Sequence, residues 1–455
     1  MLFKNRKNAG GSANQPLEAS LGVFDVFRLE NTDDIVVVGA VKGKLTNGDA
    51  VYVTNPGEDD SGMLLTQVIS METGPNQPVR DAEDCTAAIR LEKGSLYDIR
   101  VGSVIFTRNT SQKNVHDSYI RALGDYYVAK KDLDLTDDEI ESLSITDCAE
   151  ILRLFSWFHT NVVKDESEES KQKSRERGAR LAEALAKKLL CADEIYCVFS
   201  KATGEPFMFS RTVNQGTGYM CTPPNIRVFT KAYKEVMSQV FSDEKFEIKC
   251  IENGENKDGI RNFLGSTFYL NGACGVEVVS DSPCLGADML VAKPDYSDTP
   301  PINVPVTNPD LERWLLLLGQ LGNPATEDGQ IIYKLYYSFM ARELVKARLL
   351  IPMKTDGNIP VADENGKTVL KEDVSMAFPT IDGKYDRPAV CLYTDWKRLR
   401  MRYSEEWNGL IQPIDGMIGV YDCAINVNDF PAAGCYISAE MFEQMKQLAE
   451  AAEKQ

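Results

Sequence analysis

Between Leu21 and Arg108 the sequence changes character about every ten residues, and this rhythm constrains the fold more than any other feature. The runs VFDVFRL, IVVVGAVKGKL, AVYVTN, LLTQVISM, CTAAIRL and SVIFTRN are short and rich in β-branched residues. Turn residues punctuate them, as in TNGDA and TGPNQP. β-Branched side chains pack well on a pleated surface and lose freedom in a helix. Evenly spaced short strands with turn signals between them predict a small closed barrel.

Gly39, Val41, Gly43, Leu45, Gly48, Asp49 and Val51 lie in VVVGAVKGKLTNGDAVYV, and Asp98, Ile99, Gly102 and Val104 lie in YDIRVGSVIF. With these residues the segment 21–110 resembles the second-domain β-barrel of translation GTPases of the elongation-factor-Tu type. That family commonly has Ala-Gly-Asp before its fifth strand, whereas this chain reads Ala82-Glu83-Asp84, so a turn that favours Gly is modified here. The GTPase itself has no counterpart. The sequence contains no G-x-x-x-x-G-K-[ST] phosphate cradle, and NKDG at Asn256–Gly259 lacks the spacing of guanine recognition.

From His116 the period becomes helical. TDDE at Thr136–Glu139 reads as a capping box, and Ile151, Leu154, Phe155 and Phe158 share one face of DCAEILRLFSWFH. The polar run KDESEESKQKSRERG is expected to be a solvated loop or helix face. A helix then delivers a strand at Glu194–Phe199, and the order recurs downstream with a strand at Leu349–Met353. Asn308 is expected to cap the helix of NPDLERWLLLLGQLG, with Pro309 in its first turn. Two phrases match, IRVFTKAYKEV at Ile226–Val236 and AVCLYTDWKRL at Ala389–Leu399. Each reads as a strand-to-helix corner, with the aromatic packed under the helix and the Thr capping it. GACGVEVVSD and GMIGVYDCAINVN close the two stretches.

Val228-Phe229-Thr230-Lys231 and Leu392-Tyr393-Thr394-Asp395 sit where the SseB-like family, named from the enhanced serine sensitivity protein, carries Phe-Thr-Ser. Each α+β stretch resembles that family. Lys231 and Asp395 replace the Ser, and Val427 replaces the Pro that often follows the closing Asn, here Asn426. The expected organisation is multi-domain: an all-β barrel of the translation-protein type followed by two duplicated α+β SseB-like domains. Its expected segments are a disordered lead-in at 1–20, the barrel at 21–110 and a helical connector at 111–144. The first α+β unit follows at 145–295, a Pro-rich linker at 296–307, the second unit at 308–447 and a tail at 448–455.

Chemistry is harder to find. The two histidines, His116 and His159, lack nearby partners at nucleophile or metal spacing, and the 11 cysteines show no CxxC. DLDLTDDEIE lacks the Gly and terminal Glu of a calcium loop. No catalytic, cofactor or metal site is therefore expected. The net charge of −18 argues against a general nucleic-acid or anionic-membrane binder, and no apolar run is long enough to span a bilayer. Odd, scattered cysteines and a start without an apolar leader fit the cytoplasm. One basic ridge stands out. In DWKRLRMRY, Trp396, Leu399 and Tyr403 should face the core, with Arg398 and Arg402 exposed and Lys397 and Arg400 flanking. Trp396, Lys397, Arg398, Arg400 and Arg402 are the candidate partner-binding residues. These features point to a non-catalytic intracellular adaptor or regulator that acts by protein–protein interaction. The alternative is a ribosome- or RNA-associated factor that uses the barrel.

Overall fold

The computed structural model describes residues 18–164, 167–216, 218–241, 244–300, 303–355, 375–382, 387–427 and 432–453. Contacts divide the chain into two compact units, residues 1–185 with 230–232, and residues 186–229 with 233–455. Among the described residues no helix is long and apolar enough to cross a membrane.

The first unit holds β1 (Ala19–Arg28), β2 (Ile35–Thr46), β3 (Ala50–Thr54), β4 (Leu64–Glu72), β5 (Pro78–Val79), β6 (Asp81–Glu83), β7 (Thr86–Leu91) and β8 (Val104–Phe106). Six of these strands close a ring in the order β1-β8-β3-β4-β7-β2, and β2 returns to β1. Every neighbouring pair in the ring is antiparallel. The expected closed barrel is therefore present, with β5 and β6 attached to β4 and β2. Alternation explains the closure: Leu21, Val37, Val51, Val53, Ile89 and Ile105 fill the interior with essentially no exposure. Gly43 and Gly48 adopt φ of 79° and 94°, a region that a side chain disfavours. In the modified turn the left-handed residue is Asp84 at φ 45°, and its carboxylate accepts from the Gly43 N–H at 2.9 Å. Asp can adopt this conformation at small cost.

Four α-helices follow among the described residues, with a π-helical segment at Gly124–Lys130 after the first: α1 (Gln112–Leu123), α2 (Asp137–Ser142), α3 (Ile145–Asn161) and α4 (Glu168–Cys191). α1 lies on β1, where the Ser20 and Ser118 hydroxyls are 2.8 Å apart. A Cβ at Gly22 would stand 2.0 Å from the Ser118 carbonyl oxygen, so only glycine permits this approach. The capping box at Thr136 and Glu139 forms as expected, and Ser144 with Asp147 forms another on α3. The polar run is helical from Glu168 onward. The division of the chain differs from the boundary expected at residue 145. The Tyr119 hydroxyl donates to Asp147 at 2.6 Å and Arg100 reaches the same carboxylate at 3.3 Å, which holds α3 to α1 and the barrel.

In the second unit the first sheet contains β9 (Glu194–Ser200), β10 (Met208–Phe209), β13 (Asn225–Phe229), β14 (Phe246–Glu252), β15 (Gly275–Glu277) and β16 (Leu285–Gly286). A separate hairpin of β11 (Thr212–Asn214) and β12 (Tyr219–Cys221) interrupts it. The helices of this stretch are α5 (Lys231–Val240), α6 (Gly259–Tyr269) and α7 (Ala287–Leu290). The strand order is β14-β9-β13-β15-β16, with β10 on β13 and only the β13–β15 pair parallel.

Helices α8 (Pro309–Leu321) and α9 (Glu327–Lys346) then lead into β17 (Arg348–Thr355), β18 (Met376–Ala377), β19 (Thr380–Asp382) and β20 (Pro388–Leu392). α10 (Trp396–Arg400), β21 (Asn408–Pro413), β22 (Asp422–Ile425), β23 (Cys435–Ile437) and α11 (Ala439–Glu453) complete the chain. Leu350 and Tyr393 exchange two backbone hydrogen bonds of 2.8 Å, which join β17 to β20. Through that bridge a three-stranded and a four-stranded sheet read in the order β21-β17-β20-β22-β23, with β18 on β17 and β19 on β20, and among the described residues only β20–β22 is parallel. This is the order and sense of the first sheet. Phe229 pairs with Tyr196 as Tyr393 pairs with Leu350, so the two aromatics hold the same place, and both are fully buried.

Two expectations about caps are corrected. Thr394 does not cap α10; Asp395 does, accepting from the Arg398 N–H at 3.0 Å. Thr394 instead donates inward to Glu312 at 3.0 Å. Asn308 occupies the N-cap of α8 with Pro309 next, but its side chain makes no cap bond. It donates to the carbonyls of Arg348 and Thr394 at 2.9 and 2.7 Å, because those strand ends offer unpaired acceptors nearby.

Candidate ligand cleft

Strand β13 buries Ile226 and Val228 on one side and turns Asn225 and Arg227 to the other. In the parallel register Arg227 lies opposite Glu277 of β15. Arg227 Nη2 donates to Glu277 Oε2 at 2.9 Å, and Asn225 Nδ2 donates to Oε1 at 3.0 Å. One carboxylate is thus held by an amide and a guanidinium. Phe209, the partner of Asn225 on β10, places its ring under the guanidinium at 4.4 Å. These residues form one wall of a cleft of about 590 Å³. Leu317, Gln320 and Leu321 of α8 and Ile332 and Tyr336 of α9 face them. Gln320 fixes the helix to the strand edge, accepting from the Met208 N–H at 3.3 Å and donating to the Pro206 carbonyl at 3.4 Å. Arg211 and Asp281, also on the lining, form an exposed ion pair.

The wall is incompletely satisfied. Asn225 Oδ1, Arg227 Nε and Ser282 Oγ are buried and have no hydrogen-bond partner. Each such group costs about 1–3 kcal/mol if left unpaired. The second sheet has Ala389, Cys391 and Ala424 at the places of Asn225, Arg227 and Glu277, and all three are fully buried. The sheet therefore closes without any polar group there.

A second polar cluster surrounds α10. Arg398 is 4% exposed. It donates to Asp395 at 2.5 Å and to the side-chain oxygen Oδ1 of Asn271 at 2.8 Å, and lies 3.0 Å from Glu312 Oε1. That last approach is an ion pair by distance, although its angle does not make a hydrogen bond. Glu312 Oε2 accepts from Thr394 and from Asn426 Nδ2 at 3.0 and 2.8 Å. Burial pushes the Glu312 carboxyl up to about 7, against the pull of Arg398. Burial works against the Arg398 charge, but Glu312, Asp395 and Glu205 outweigh it and raise its pKa. The pairs satisfy one another, so this cluster reads as a structural clamp within the second unit.

The sequence-predicted residues come together on α10 and the turn after it, but the expected exposed ridge does not form. Arg398 is buried in the cluster above. Lys397 is exposed and reaches Glu205 at 3.0 Å. Arg400 donates to the carbonyls of Ser404 and Trp407 at 2.6 and 2.8 Å and lies over the Trp396 ring. Arg402 donates to the Val427 carbonyl at 3.0 Å. The helix ends at Arg400, so the periodicity that put Arg402 beside Arg398 does not extend that far. Leu399 is fully buried and Trp396 and Tyr403 pack on the same core, as expected. Asn225, Arg227, Glu277, Phe209 and Ser282 were not singled out by the sequence. The available signal was a pair of opposite charges, each within an apolar run of the sequence, IRVF and GVEVV.

No protein-family model matches the sequence, and no curated protein matches it. Solved structures that are similar to it include translation factors. The elongation factor SelB from Methanococcus maripaludis in its apo form is 17% identical, with a TM-score of 0.18, over 21% of this chain and 20% of its own. Its complex with the GTP analogue GPPNHP gives 18% and 0.18, over 23% and 22%. GDP-bound aIF5B from Aeropyrum pernix is 11% identical, with a TM-score of 0.20, over 46% and 50%. The chain thus spans about a fifth of the SelB chains and half of the aIF5B chain.

Proposed function

We propose that this chain is a non-catalytic adaptor or regulator that works by contacting another protein. The observation that supports the reading is an apolar row outside the barrel. Thr66 and Val68 of β4 point inward, and Leu65 and Ile69 between and beyond them point outward. Leu65 is 60% exposed, Met63 65% and Leu96 68%. The Tyr97 hydroxyl donates to the Gly62 carbonyl at 2.8 Å, which brings the loop of Leu96 beside Met63. Gln67 is also exposed on this face, between Leu65 and Ile69, and several large apolar side chains exposed near one another favour a contact site. The charged groups of the cleft support a binding role over a catalytic one, since Arg227 is paired with Glu277 and Arg211 with Asp281. Burial also pushes the Cys423 thiol up to about 12, away from nucleophilic reactivity.

In this reading the two sheets of the second unit are copies of one SseB-like unit. Their shared strand order and matched aromatic–Thr corners support it. None of the 11 cysteines is in a disulfide, which favours a reducing compartment such as the cytoplasm.

The test is a photocrosslinking amino acid at Leu65 in cells. A covalent protein adduct that disappears with Ile69→Lys is the expected result. Adducts that are insensitive to Ile69→Lys would remove the role of the row. Salt-sensitive co-sedimentation with ribosomes would replace this reading with the ribosome- or RNA-associated one.

A further inference from the structure

We propose that the cleft beside β13 binds a small neutral molecule that presents an N–H next to a C=O on a flat apolar body. The cleft is independent of the apolar row on the barrel. Its volume of about 590 Å³ falls in the range of small-molecule sites. The chemistry follows from the three unpaired atoms. Arg227 Nε can only donate, and Asn225 Oδ1 can only accept. The orientation of the Asn225 amide is fixed, because the reverse would set its oxygen against the Glu277 carboxylate. Residues two apart on a strand project from the same face, and here both side chains converge on the two oxygens of the Glu277 carboxylate. An amide edge supplies an acceptor to Nε and a donor to Oδ1. The Ser282 hydroxyl, 6% exposed, can serve either end.

Charge selects against the ionised alternatives. Glu277 and Arg227 neutralise each other at 2.9 Å, so a carboxylate ligand meets Glu277 and a cation meets the guanidinium. Phe207, Leu317 and Tyr336 offer apolar surface for the flat body. The second sheet makes the polar wall unnecessary for folding, with Ala389, Cys391 and Ala424 in the equivalent places.

Nucleobases and carboxamides both carry this edge, so the experiment uses one of each. The full-length chain is titrated with uracil, with nicotinamide and with nicotinate, and binding is read by saturation-transfer NMR. Saturable binding of at least one neutral probe is expected, with nicotinate weaker than nicotinamide by about tenfold or more. Whichever neutral probe binds more tightly identifies the source. Asn225→Ala should weaken that probe about tenfold, the loss of one hydrogen bond to a buried group. Ser282→Ala, which deletes a hydroxyl and leaves the packing intact, keeps the test readable if Asn225→Ala fails to fold. Binding should persist in Leu65→Lys, which separates this site from the barrel row. The proposal is overturned if neither neutral probe saturates below about 10 mM, if nicotinate binds as well as nicotinamide, or if Ser282→Ala and Asn225→Ala both leave binding unchanged.

Discussion

Glu312 is a carboxyl with no access to water, and its ionisation has consequences for stability. Its ordinary value is 4.5, and burial pushes it up to about 7 in the fold. Between these values the folded chain holds a proton that the unfolded chain has released. Stability from this group is therefore complete below about pH 4.5 and is lost as pH rises through about 7. The shift corresponds to at most about 3 kcal/mol. Urea melts of the wild type should lose stability between pH 5 and pH 7.5 relative to Glu312→Gln, which cannot titrate. Parallel pH profiles for the two proteins would refute this account. Gly43 gives a second residue-scale prediction. At φ 79° and with a Cβ position 2.2 Å from the Glu18 carbonyl, Gly43→Val should cost about 1–3 kcal/mol, read as a lowered urea midpoint.

At the scale of elements, the contact of α1 with β1 depends on one missing side chain. Gly22→Ala drives a methyl group against the Ser118 backbone, which cannot rotate away. The helix must move, breaking the bond between the Ser20 and Ser118 hydroxyls. A loss of about 1–3 kcal/mol is expected, against a much smaller effect for the exposed Gly62→Ala, where nothing lies nearby. The sequence shows the strands of the barrel clearly, because their alternation and turn glycines are local signals. The capping box at Thr136 is legible for the same reason. Long-range pairing is not legible. Arg398 looks like a surface residue on its own helix, and only Glu312 of α8 and Asn271 after α6 make it a buried one. The cleft was hidden similarly. Arg227 and Glu277 are remote in sequence, and only the parallel register of β13 and β15 sets them side by side. Thr394 misled because Thr is a common cap, while the adjacent Asp395 was the better-placed acceptor.

On the scale of the whole molecule, the chain is built from parts whose limits do not follow the changes in sequence pattern. The strand pattern stops near Arg108, and the barrel ring is complete at Phe106. The compact unit nevertheless continues through α1 and α3. Tyr119, Ala122 and Leu123 of α1 are fully buried, and Tyr119 and Arg100 converge on Asp147 of α3. Burying two large side chains of this kind contributes roughly 3–6 kcal/mol. A fragment of residues 18–110 should therefore form the barrel with much lower stability than a fragment of residues 18–164. The expected difference in unfolding free energy is about 3 kcal/mol or more, with a smaller urea m-value because less surface is exposed on unfolding. Equal stability of the two fragments would mean that the helices only rest on the barrel, and that the change in pattern near Arg108 is the true limit of the folding unit.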